Sequence, residues 1–197
     1  MSVCVRVWAA GLVASSLIVG CTVADKDKPA EIASGDEVRV VDVVKGDEVV
    51  VEKDGRRAKI RLLGVHAYDA VIEDSELQNF AAQSTSQLRA AVVGQIVTVT
   101  LGKRTKDTHG RYLGYLAQGQ RDINRFLIEA GLGVVYTEYP FAREAPYMKA
   151  EQSARMGRTG VWGSDRSTKV SKGLRKQWAE YRQERGNVPV TDPLLSP

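Results

Sequence analysis

Between Val38 and Val65 the chain runs through three valine- and leucine-rich segments, Val38 to Val44, Glu48 to Lys53 and Arg56 to Val65, cut apart by Lys45-Gly46-Asp47 and Asp54-Gly55. Glycine beside a turn-forming acid lets the backbone reverse within a few residues, so these runs predict a three-stranded meander. The period then changes. Ser75, with Gln78 three residues on as a capping box, opens a helix whose Leu77, Phe80, Ala81, Leu88, Ala91 and Val92 share one face before Gly94 stops it. Two further strands, Ile96 to Leu101 and Arg111 to Ala117, flank a polar loop. Asp122 caps a second helix with the stripe Ile123, Phe126, Leu127 and Ala130, and a third runs from about Arg143 to Met156. Five short strands with a helix between the third and fourth is the order of an α+β OB-fold, a five-stranded Greek-key barrel, here with three helices. Such barrels take oligonucleotides or oligosaccharides, so the fold alone does not choose a function.

With 197 residues, 43% of them hydrophobic, the chain has material for one domain and appendages. Arg6 precedes an apolar run from Val7 to Val19. That run is shorter than the roughly 20 residues a membrane span needs, so residues 1–20 read as a signal peptide. Ile18-Val19-Gly20-Cys21 resembles a bacterial lipobox, which implies cleavage before Cys21 and its lipidation; an ordinary signal with a chance cysteine is the alternative. Cys4 leaves with the signal, so the mature chain has no disulfide. Thr22 in place of aspartate resembles the outer-membrane sorting signal, and the expected location is the bacterial cell envelope, anchored by lipid. Cys21→Ser is predicted to move the protein out of the membrane fraction; a variant that stays there refutes the anchor. Residues 21–35 read as a tether, 36–165 as the globular domain and 166–197 as a charged, part-helical tail with Leu174, Trp178 and Tyr181 at spacings of four and three. Nothing points to a protein partner, and a monomer is expected.

A net charge of +4 is a weak hint toward polyanions; its distribution says more. Arg57, Lys59 and Arg61 alternate with Ala58, Ile60 and Leu62, so period two puts three cations on one face. Alone, this stripe reads first as a solvated sheet face. Lys103, Arg104, Lys106 and Arg111 add a second basic group around the loop between the fourth and fifth strands. Two such groups on neighbouring elements suit phosphate, which the arginine fork binds through paired hydrogen bonds. Tyr68 and Tyr112 flank the same segments and are candidates either for stacking on a base or for packing.

Four segments together resemble the staphylococcal nuclease (thermonuclease) family. They are Lys45-Gly46-Asp47-Glu48, the loop Arg61-Leu62-Leu63-Gly64-Val65-His66-Ala67-Tyr68-Asp69, Asp107-Thr108-His109-Gly110-Arg111, and Ala150-Glu151-Gln152-Ser153-Ala154-Arg155 followed by Gly157, Gly160 and Trp162. The resemblance implies a Ca²⁺-dependent phosphodiesterase of DNA or RNA. It implies Arg61 and Arg111 as the arginines holding the scissile phosphate, Asp69 as the carboxylate activating water, and Asp47 with the Ala67 carbonyl as metal ligands. His109, Tyr112 and the basic residues Arg57, Lys59, Lys103, Arg104 and Lys106 would line the nucleic-acid path. The departure lies at His66 and Lys45, which stand where the family has carboxylates near the metal. Three readings of His66 are open: a changed metal, Mn²⁺ or Zn²⁺, which imidazole suits; loss of catalysis with nucleic-acid binding kept; or a plain loop residue. The first predicts that His66→Asp raises Ca²⁺ affinity.

Overall fold

The computed structural model describes residues 28–186. The expected signal segment, Cys21 and the end of the tail lie outside them. No helix among the described residues is long and apolar enough to cross a membrane. The elements run β1 (Glu37–Lys45), β2 (Glu48–Lys53), β3 (Arg56–Leu62), β4 (Val65–His66), α1 (Ser75–Val92), β5 (Ile96–Lys106), β6 (Tyr112–Gln118), β7 (Arg121–Asp122), α2 (Ile123–Glu129), β8 (Val134–Val135), α3 (Glu144–Met156), a 3₁₀ turn (Gly160–Trp162) and α4 (Asp165–Glu184).

The meander forms as expected, because inward Val38, Val40, Val43, Val49, Val51, Ala58, Ile60 and Leu62 are buried at period two. Sheet order is β3-β2-β1-β5-β6-β7, and parallel pairing of β3 with β6, Ile60 opposite Tyr112, closes the five long strands into the barrel. This is the α+β OB-fold, with four helices about it. The barrel core continues into α1 through Leu88 and Val92 and into α2 and α3 through Ile123, Leu127 and Tyr147. A second cluster, built on Tyr68, Leu77, Ala81, Trp162 and Trp178, sits between α1 and α4.

Several boundaries differ from the sequence reading, each for a physical reason. The first helix is capped by Asp74, whose carboxylate accepts from the Glu76 and Leu77 amides at 3.0 and 3.2 Å; Ser75 lies inside it. Gln78 has no capping-box role and donates to the Ile72 carbonyl at 2.8 Å. The third strand breaks at Gly64, where φ is +74°, and the redirected chain pairs with β8 instead. The fourth strand runs on to Lys106, so Lys103, Arg104 and Lys106 extend β5 and do not form a loop. In the expected tether, Ala30 and Ile32 are buried against the barrel, and the Ala30 amide donates to Arg57 O at 2.9 Å. The expected tail is α4, docked by buried Ser167, Ser171, Arg175, Trp178 and Arg182.

Candidate active site

Asp47 and Glu48 begin the site. Asp47 sits in the β1–β2 turn and Glu48 opens β2, 1% and 4% exposed. Gly46 lets this turn lie flat, since a Cβ there would run into Ser84 of α1 and Ala67. The two carboxylates each hold one of the two arginines. Arg61 forms an ion pair with Asp47 Oδ2 and donates to Asp47 O at 3.2 Å. Arg111 donates to Glu48 Oε2 at 2.5 Å and to Asp107 Oδ2 at 2.7 Å. Because β3 and β6 pair in parallel with Ile60 opposite Tyr112, Arg61 near the end of β3 and Arg111 just before β6 stand on neighbouring chain segments. The barrel therefore brings together the arginines that the sequence placed fifty residues apart.

Asp47 also fastens the loop beyond β4, its Oδ2 accepting the Ala67 amide at 2.9 Å. That loop presents Asp69, about half exposed, with Lys45 Nζ 3.4 Å from its Oδ2. The Val71 amide at 3.3 Å and the Lys45 ammonium hold the Asp69 carboxyl below the usual carboxylate range. Lys45, Glu48, Tyr68, Asp69, Ala70 and Arg89 line an open pocket of about 670 Å³ beside α1.

His66 and the two tyrosines are packed side chains. The His66 ring is enclosed by Trp178, Tyr68 and Tyr136, at centroid distances of 5.2, 6.0 and 6.3 Å. Tyr68 is buried, its hydroxyl 2.6 Å from Ser171 Oγ. Tyr112 is buried beneath Lys106, with its hydroxyl accepting from the Ile32 amide at 3.1 Å, so it anchors the N-terminal segment and offers no free ring to a base. His109 sits in the exposed turn that Asp107 organises by accepting the His109 and Arg111 amides at 2.8 and 3.0 Å. Arg57, Lys59 and Arg61 do share a face, but Arg57 and Lys59 look across to Glu52 and Glu48 at 3.6 and 3.8 Å. Lys103, Arg104 and Lys106 stand along the exposed far end of β5.

Burial holds the His66 ring pKa down to about 4, against about 6.5 for a free histidine. The unfolded chain therefore binds a proton between these values that the folded chain refuses, and stability falls as pH drops from 6.5 to 4. His66 contributes up to about 3 kcal/mol to that fall. Urea unfolding of the parent and of His66→Phe across this window measures it; parallel pH profiles refute the assignment.

The residues present do not fit a calcium ion. Ca²⁺ takes about six to eight oxygens in a site of surplus negative charge. Here Asp47, Glu48, Asp69 and Asp107 are matched one for one by Lys45, Lys59, Arg61 and Arg111, all at ion-pair distance. Among the oxygens of these four carboxylates, Asp47 Oδ1 is buried without a hydrogen-bond partner. No group of three or more His, Cys, Asp or Glu among the described residues is arranged to hold a metal ion.

Sequence reasoning missed Glu48 as the holder of Arg111, although its place one residue after Asp47 put it on the right face. It expected a helix in the tail and its Trp178 stripe, but not the docking of α4 against the site loop. Comparison with known proteins agrees with the geometry. The model of the family described as staphylococcal nuclease homologue matches residues 59–164. A thermonuclease of Staphylococcus hyicus is 24% identical over 140 residues, 70% of this chain and 83% of its own. An uncharacterized endonuclease of Escherichia coli O157:H7 is 32% identical over 125 residues, 63% of this chain and 75% of its own.

Proposed function

The chain belongs to the staphylococcal nuclease family, and from that premise we propose that it hydrolyses phosphodiester bonds of single-stranded DNA or RNA at the Arg61, Arg111 and Asp69 site. The observation that carries this reading is the pairing of two partly exposed arginines on neighbouring chain segments, each held from behind by a buried carboxylate. Guanidinium groups fixed in this way supply charge where a phosphate oxygen gains it in the transition state, at no cost of reorganisation.

In the reaction, a water oxygen bonds to phosphorus as one ester P–O bond breaks. Asp69 takes the water's proton, and solvent returns one to the departing oxygen. Arg61 and Arg111 bind the two non-bridging oxygens and orient the phosphorus. Asp69, with its depressed pKa, is a weak base at neutral pH, so the arginines carry most of the acceleration. Lys103, Arg104 and Lys106 on β5 supply sequence-independent contacts to flanking phosphates. The site works in the cell envelope if Cys21 carries lipid.

The test is cleavage of labelled single-stranded DNA and RNA by the purified chain, with Arg61→Ala beside it. Cleavage that Arg61→Ala abolishes supports the reading. Binding without cleavage under any condition would leave a nucleic-acid-binding module, a role the matched charges of the site also suit.

A further inference from the structure

Every carboxylate of the site already has a cation, and the pairs are not equally firm. Arg61 with Asp47, and Arg111 with Glu48 and Asp107, are short and largely buried. The pair that lines the pocket, Lys45 with Asp69, is looser. It spans 3.4 Å, and its side chains are 36% and 52% exposed. An exposed pair of this kind is worth about 1 kcal/mol or less and opens readily.

From this we propose that Lys45 is the site's own cation: a phosphodiester entering the pocket displaces Asp69 from the Lys45 ammonium, and the site works without a divalent ion. The inference rests on the phosphodiesterase reading and deepens it. Lys45 lies opposite Glu48 in the β1–β2 register and Glu48 opposite Arg61 in β3, so the ammonium enters the pocket from the strand end that carries Arg61. Exchange of partners keeps the ammonium paired, because a phosphodiester carries one negative charge as the carboxylate does, and the released Asp69 carboxylate, half exposed, turns to water. Lysine suits this better than arginine, being a compact charge on a flexible stem that can change partners.

The test uses the full chain, a labelled single-stranded oligonucleotide and excess EDTA. The parent is expected to bind, and to cleave, as well in EDTA as in added Ca²⁺, and to show no saturable heat in calorimetric Ca²⁺ titration. Lys45→Met is expected to weaken binding about tenfold and to lower the slope of log affinity against log salt by about one, as loss of one phosphate contact does. Lys45→Arg is expected to keep most of the affinity. Both variants should fold, since the side chain is partly exposed and makes one weak pair. Saturable Ca²⁺ binding by the parent, cleavage abolished by EDTA, or unchanged affinity and salt slope in Lys45→Met each overturns the proposal. A parent that cleaves nothing, yet loses affinity and salt slope in Lys45→Met in EDTA, would sink the hydrolase reading and leave Lys45 as the phosphate-binding cation.

Discussion

Alanine in place of Arg61 is expected to lower turnover on single-stranded DNA by about a thousandfold while weakening binding far less. Removing one fixed donor from a developing oxyanion typically costs this much, because the charge matters most where the phosphate oxygens gain it. The same change has a structural side. Arg61 neutralises Asp47, which is buried, and a buried carboxylate left without its partner costs about 3–5 kcal/mol. Arg61→Lys keeps charge but not the fork, and Arg61→Ala combined with Asp47→Asn removes the buried charge. Steady-state kinetics together with urea unfolding of all three separates the effects. If stability returns in the double variant and turnover does not, the guanidinium acts on the phosphate. A raised KM with kcat unchanged would mean that Arg61 only binds substrate, and the mechanism above would fail.

The second large effect is expected in α4. This helix begins at Asp165, just past the segment matched by the family model, yet it braces the site loop. Arg175, 0% exposed, donates to Val135 O at 2.6 Å and pairs with Glu151, whose Oε1 accepts from the Val135 amide at 2.7 Å. Val135 belongs to β8, β8 pairs with β4, and β4 leads directly into Ala67, Tyr68 and Asp69. Trp178 closes the His66 ring from the same helix. Trp178→Ala should cost about 3–5 kcal/mol through the cavity it leaves, and Arg175→Ala a similar amount by stranding the buried Glu151. A merely stabilising helix would change melting alone. Bracing of the loop predicts more: in Trp178→Ala, below its melting point, the His66 ring should titrate closer to 6.5 by NMR, and turnover should fall several-fold. An unshifted His66 titration and unchanged turnover would reduce α4 to a stabilising appendage.

The same contacts revise the expectation for His66→Asp. A carboxylate there would stand among Trp178, Tyr68 and Tyr136, where burial disfavours charge, so destabilisation is expected in place of a gained calcium ligand.

What the sequence determined by itself was the local and periodic part. Alternation in Val38 to Leu62, glycine-bearing turns and the acid at Asp122 act within a few residues, and they set the meander, the barrel order and the second helix. The two arginines were legible because motif order carried them. What only the tertiary structure decided were pairings between distant segments: Glu48 with Arg111, 63 residues apart, Tyr68 with Ser171, 103 apart, and His66 beneath Trp178. An imidazole in a loop and a tryptophan on a helix stripe look the same in sequence whether they face solvent, a metal or each other. Only barrel closure and the docking of α4 chose among these, because burial, and with it the protonation state of His66 and the match of charge around Asp47, is a property of the packed chain.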